Sequence, residues 1–376
     1  MERKRAIVIG AGIVGLAITR SLATRGYQVH VFERNEKAVS ASVRNFGMVW
    51  PVGQPAGMLY ERALRSKAIW KEVCTEAGLW YEETGSLHLA YDELEWQVLN
   101  EIAAANTGIR PMIAIDAQTA LQRSEAINPE GLKGALWSAD EMIVEARVAI
   151  EKIPAWLQQR YGITFHFNTA VTEIRYPEII TGGGERLSAD EIFVCGGADF
   201  ETLYPEVFEE NYFTKCKLQM MRLAVQPDNW RIGPALCGGL SLAHYKGFEV
   251  AASLPALKQH FEATLPDYIR WGIHVMVSQN GEGELTVGDS HEYGGVFDPF
   301  DKHFINQLIL DYLKRFARFK NWDLSQSWHG IYPKKTDGKT DFVFQPEPGV
   351  TIVNGMGGAG MTLSFGLAEE VVQSNY

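Results

Sequence analysis

Gly10, Gly12 and Gly15 stand at G-x-G-x-x-G spacing directly behind a short apolar run, Ala6 to Ile9. This placement constrains the chain more than any other feature. The run reads as a buried strand, and the glycines open a helix. A second strand, Val29 to Phe32, then ends in an acid, Glu33, 18 residues after Gly15. Each part has a physical task. Gly10 permits the tight turn, Gly12 lets backbone N–H groups approach a pyrophosphate, and Gly15 lets helix and sheet pack closely. The N–H groups of Ile13 and Val14 sit at the positive end of the helix, where an anion is stabilised. Glu33 is placed to accept hydrogen bonds from both ribose hydroxyls, with Arg34 beside it. The segment predicts a dinucleotide site.

The same stretch, Met1 to Arg5 followed by apolar residues, also has the outline of a secretory leader. Fingerprint glycines, together with Arg20 and Arg25 ahead of any small-residue cleavage site, argue against that. No stretch reaches the ~18 apolar residues needed to span a bilayer. Cys74, Cys195, Cys216 and Cys237 have neither C-x-x-C spacing nor disulfide density, which suits a reducing compartment. The expected location is cytoplasmic. With 46 acids against 35 Lys and Arg, the net charge of −11 argues against nucleic acid or an anionic membrane as partner. An anionic ligand would need a local basic cluster. The length of 376 residues exceeds one ordinary core, so two domains are expected. Nine histidines show no metal-ligand spacing, and no metal is expected.

Which dinucleotide is bound depends on the segments that follow. Ala41 to Pro51 is small and polar at Ser42, Asn45 and Gly47, as a loop lying along an extended cofactor would be. Ser42 and Asn45 can offer donors, and Gly47 permits close approach. An ordinary surface loop is the alternative, disfavoured by the apolar Phe46, Met48 and Trp50. Ile163 to Ile174 alternates like a strand, with the Val171 backbone placed to pair with an adenine edge; Glu191 to Val194 is a buried strand breaking at Gly196 and Gly197. Either is also consistent with plain sheet filler. The tail is more specific. Strand Val350 to Asn354 meets a turn containing Gly357, Gly358 and Gly360, then Met361, Thr362 and a helix from Leu363 to Val372. A second helix N-terminus of this kind stabilises negative charge on a reduced flavin. No acid follows at dinucleotide spacing, so flavin explains it better than a second nicotinamide site.

Taken together, these segments resemble the D-amino-acid-oxidase-like family of FAD-dependent amine oxidoreductases, which includes glycine and sarcosine oxidases. The resemblance runs from Gly10 to Val372. Ala41 to Pro51, Gly288 to Tyr293 and Asp337 to Asp341 resemble a bacterial subfamily associated with phosphonate catabolism. It implies an α/β chain of glutathione-reductase-2-like FAD fold. A Rossmann-type FAD-binding domain (1–79, 143–210 and 328–376) would carry a mainly antiparallel β-sheet substrate domain (80–142 and 211–327). Oxidation of an N-methylated 2-aminoethylphosphonate to phosphonoacetaldehyde and an amine is implied, with oxygen or another acceptor taking the electrons. One departure matters. Relatives acting on amino acids carry Gly-x-Arg-Pro before the Thr-Asp element, whereas here Gly330 to Pro333 places Tyr332 at the arginine position. A carboxylate clamp is missing there. No cysteine stands near Tyr332 or the C-terminal glycine turn, so the FAD is expected to be non-covalent.

The substrate-binding candidates are Arg44, Tyr332, Lys334, His291, Gln219 and Met48. Arg44 has two equal readings, a phosphonate contact or a pairing with cofactor phosphate or a structural carboxylate. Lys335 reads as solvated, the methionines Met220 and Met221 as core, and His244 and His274 as weaker candidates than His291. No catalytic base is assigned, since an amine bound unprotonated needs none. The rival enzyme is a glycine, sarcosine or D-amino acid oxidase or dehydrogenase, with an arginine such as Arg222 in place of the missing clamp. A flavin-binding protein without turnover is the rival outside enzymes, and a colourless nicotinamide-dependent dehydrogenase the third alternative.

Overall fold

The computed structural model describes residues 3–374, so the outermost ends of the expected domain pieces lie outside the described residues. Strand Arg5–Ile9 sits centrally in a six-stranded sheet, and its β-branched residues bury both faces. Across that sheet run Phe342–Glu347, Val350–Asn354, Glu191–Val194, Arg5–Ile9, Gln28–Phe32 and Thr164–His166. All neighbours are parallel except the first pair. Strand alternation sends Ala6 and Val8 to one face, where helices Ile13–Thr24, Met58–Ala77 and Gly360–Ser374 cover them. Ile7 and Ile9 face a three-stranded meander, Val171–Arg175, Glu178–Thr181 and Arg186–Ser188. This is a Rossmann-type layer arrangement.

A nine-stranded sheet, antiparallel except where Ala235–Cys237 pairs with Ser86–Ala90, forms the second body. Its longest pair is Phe213–Leu223 with Leu324–Lys335. Alternation on Phe213–Leu223 divides the chemistry. Cys216, Leu218 and Met220 cluster with Tyr332 on one face. Lys217 and Gln219 point the other way, toward the segment Asp298–Asn306. Helices Glu93–Ala105, Leu254–Thr264 and His303–Phe316 close the core on that sheet. A small sheet of Met48–Val49, Met142–Val144 and Tyr81–Glu82 joins the two bodies.

Two expected elements differ. Ile163 to Ile174 is not one strand: it breaks at Asn168, whose φ is 54°, and its halves pair in different sheets. The C-terminal helix begins at Gly360, earlier than the apolar spacing suggested, because glycines carry no periodicity. Residues 328–335 lie within Leu324–Lys335 and so belong to the nine-stranded sheet. Among the described residues, no helix is long and apolar enough to cross a membrane.

Candidate functional site

A cavity of about 310 Å³ lies where the two bodies meet, bordered by both glycine-rich helix starts and by the larger sheet. At the first helix start Gly10 has φ +103°, and a Cβ on Gly15 would stand 1.8 Å from the Gly10 carbonyl oxygen. The side chain of Glu33 is buried and accepts from the Ala11 N–H (3.1 Å) and from Asn35. This fixes the acid over the glycine turn. Ile13 N donates to Ser42 Oγ (2.9 Å), which ties the loop to the helix. Ile13, Val14, Ser42, Gly197, Gly357, Gly358, Gly360, Met361 and Thr362 all border the cavity. Thr362 Oγ1 accepts from Trp50 N (2.9 Å), and Trp70 Nε1 donates to the Met361 carbonyl (2.7 Å), holding the second helix start in place. Gly196 and Gly197 follow strand Glu191–Val194, and Asn354 Nδ2 donates to the Gly197 carbonyl. Val171 is buried at the start of the meander, near the Glu33 segment through Thr169 N, which donates to the Glu33 carbonyl.

The opposite wall holds Met48, Met220, Tyr332, Lys334 and His291, with His244, Tyr245, Lys246, His274 and Asp289. Tyr332 is buried beside the Gly357–Gly358 turn, and burial pushes its phenol above the usual range. Lys334 Nζ donates to Tyr293 OH (3.1 Å) and lies 5.1 Å from that ring's centre. Burial raises the Asp289 carboxyl well above the ordinary carboxylate range. Arg44 Nη1 donates to the His329 carbonyl (3.1 Å). It borders both this cavity and an open groove lined by Lys37, Arg147, Asp301 and Trp328. The four cysteines are buried and none lines the cavity.

Several expectations are corrected by these positions. Gln219 does not reach the cavity; its amide donates to Lys302 O and Asn306 Oδ1 on the far face. Asn45 borders the cavity, yet its amide donates to the Ala41 and Ser42 carbonyls and its oxygen accepts from Gly47 N, so it shapes the turn. Gly47 is required by a protein contact: with φ +73°, a Cβ there would lie 1.9 Å from the Val144 carbonyl oxygen. Arg34 pairs with Asp199 at the surface. Lys335 is not solvated. It is buried against Phe213 and Phe342, donates to the Asn211 carbonyl and pairs with Asp337. Arg222 is held by Glu145 and Glu284 and supplies no clamp. Sequence reading missed Lys246, Lys339 and Asp289 in the wall, because loop residues carry no periodicity to place them.

The model of the family described as FAD dependent oxidoreductase matches residues 5–374, and the chain belongs to that family. It is therefore an FAD-dependent oxidoreductase. Among curated proteins it is similar to a subunit of the opine oxidase of Agrobacterium tumefaciens (strain Ach5), 25% identical over 346 residues, covering 88% of this chain and 82% of the relative. Among solved structures it resembles glycine oxidase from Geobacillus kaustophilus, with a TM-score of 0.77, 20% identity, and 99% and 94% of the two chains covered. Iminodiacetate oxidase from Chelativorans sp. BNC1 aligns at a TM-score of 0.72 and 19% identity over 98% and 95%. These likenesses carry the fold.

Proposed function

We propose that the chain oxidises the C–N bond of a small anionic amine, an N-methylated 2-aminoethylphosphonate. The observation carrying this is the charge of the cavity. In a chain of net charge −11, its wall holds Arg44, Lys246, Lys334 and Lys339 against a single acid, Asp289, whose raised pKa favours the neutral form. A phosphonate, like a phosphate group, carries more negative charge than a carboxylate near neutral pH, which suits several point charges. Tyr332 in place of an arginine removes the planar fork that suits a carboxylate.

FAD fits the residues present. A Cβ on Gly12 would meet Ser42 Oγ at 3.1 Å, so glycine lets the Ser42 loop close on the helix start, and without a side chain its backbone can be approached by a phosphate. In this reading Gly10, Gly12, Ile13, Val14 and Gly15 cradle the pyrophosphate, Glu33 takes the ribose, and Val171 borders the adenine. Ser42, Gly196 and Gly197 flank the chain of the cofactor. The helix start at Gly357, Gly358, Gly360, Met361 and Thr362 would hold the flavin end, and no cysteine borders the cavity for a covalent link. When bound, FAD supplies the two-electron acceptor. Lys334, with Arg44 and Tyr332 nearby, holds the anionic end, while Met48 and Met220 give the methylene carbons an apolar wall that excludes water. The substrate loses a hydride equivalent from the carbon next to nitrogen, and water cleaves the resulting iminium to phosphonoacetaldehyde and methylamine. The division into an FAD-binding and a substrate-binding domain belongs to this proposal, with Leu324–Lys335 assigned to the larger sheet.

Products decide the reading. Phosphorus NMR of N-methyl-2-aminoethylphosphonate turnover is expected to give phosphonoacetaldehyde with one equivalent of methylamine. Lys334→Met should raise KM for that substrate about tenfold or more, since a charged hydrogen bond contributes about 1.5–3 kcal/mol. Formaldehyde and the primary amine would place oxidation on the methyl carbon, and an unchanged KM would remove Lys334 from the anion site.

A further inference from the structure

Beyond Tyr332 the cavity ends in three imidazoles that this reaction does not use. They reach it from separate segments: His244 ends the turn Gly239–Ala243, His274 precedes strand Met276–Gln279, and His291 follows strand Leu285–Gly288. One ring nitrogen of each lies within 4.8 Å of the others. The ring centres are 3.8 Å, 4.8 Å and 5.1 Å apart. His274 and His291 are buried, at 4% and 6% exposure, while His244 projects into the cavity.

The outer nitrogens define what the inner ones can do. His291 Nδ1 lies 2.9 Å from the Gly272 carbonyl oxygen, which can only accept, so Nδ1 carries the proton and Nε2 a lone pair. His274 Nδ1 is fully buried without a hydrogen-bond partner among the described residues, and Nε2 lies 3.1 Å from Asp289 Oδ1, an approach that is not a hydrogen bond. A carbonyl on the far nitrogen, as at His291, is an arrangement that orients metal-binding histidines and raises their basicity. Lone pairs of this kind repel the anionic end of a substrate and attract a cation.

We propose that His244, His274 and His291 form a site for one divalent transition-metal ion of the Zn²⁺ class, with its fourth position open to the cavity. Imidazole sets of this composition suit such ions rather than Ca²⁺ or Mg²⁺. The ligand nitrogens of a tetrahedral site stand about 3.4 Å apart, so nitrogens now within 4.8 Å of one another must close and the partly stacked rings must turn toward a common point; His244 is the member with open space around it. Sequence spacing gave no sign of this, since the three residues converge only through the segments flanking three neighbouring strands of the larger sheet, Ala235–Cys237, Met276–Gln279 and Leu285–Gly288. The site is independent of which amine the enzyme oxidises.

Titration calorimetry of tag-free, EDTA-washed holoenzyme with ZnCl₂ tests the proposal. One Zn²⁺ per chain is expected at micromolar affinity or tighter, weakened at least about 100-fold in His244→Gln and in His274→Gln. His303→Gln, a histidine outside the cluster, should bind as the parent does. His274→Gln risks misfolding, so flavin content and melting temperature are checked, and His244→Gln decides if they fall. Absence of stoichiometric binding, or binding that survives in His244→Gln, overturns the site. Neither outcome touches the assignment of the substrate, because no amine is present.

Discussion

At the scale of single residues, sequence spacing exposed the groups whose role is set by backbone geometry, and obscured those whose role is set by a distant partner. Gly10, Gly12, Gly15 and Glu33 were legible because strand, turn, helix and acid lie in one continuous segment. The contacts of Gly47, Gln219 and Lys335 were not legible because their partners, among them Val144, Asn306 and Asn211, lie far along the chain. Gly15→Ala places a methyl group 1.8 Å from the Gly10 carbonyl oxygen. The variant is expected to lose about 1–3 kcal/mol of stability and to purify with little flavin; a normal ratio of flavin to protein absorbance would contradict this.

Glu141 offers a pH-dependent check at the same scale. It is fully buried, accepts from Val52 N and Ser86 Oγ, and burial pushes its carboxyl up to about 7 from an ordinary value of 4.5. Between those values the folded state keeps a proton that the unfolded state has released. Its contribution to stability is therefore fully present below 4.5 and is lost as pH rises through 7, at up to about 1.4 kcal/mol per pH unit. Glu141→Gln preserves both contacts through its carbonyl and amide groups and removes the titration. The melting temperature of the variant should gain on the parent from about pH 5 to about pH 7.5; a constant difference would show that Glu141 does not titrate there.

At the scale of elements, continuous apolar or alternating runs were readable and interruptions were not. Arg5–Ile9, Glu191–Val194 and Val350–Asn354 lie close to where their apolar runs put them. The break at Asn168 was invisible because a left-handed asparagine looks like any polar residue in a strand. The helix Gly360–Ser374 gains its fixed direction from donors outside it, the Trp50 backbone N–H and the Trp70 indole. Thr362→Val removes the acceptor of the buried Trp50 N–H, which costs about 1–3 kcal/mol. A fall of a few degrees in melting temperature is expected, with weaker flavin retention; an unchanged melting curve would show that the helix start is held without this bond.

At the scale of the whole molecule, the functional surface is made by apposition of two sheets, and no single segment contains it. The dinucleotide half was legible in local motifs. The opposite wall was not, because Lys246, Asp289 and Lys334 come from three loops or strand ends that only the larger sheet brings together. That apposition produces a basic cavity inside an acidic chain, and the choice of an anionic amine rests on it. The most direct measurement mixes yellow holoenzyme anaerobically with N-methyl-2-aminoethylphosphonate and, separately, with sarcosine, following flavin absorbance near ~450 nm. Rapid bleaching by the phosphonate, with sarcosine slow or inert, is the predicted result. Rapid bleaching by sarcosine alone would leave the fold and cofactor in place and contradict the assignment of the substrate.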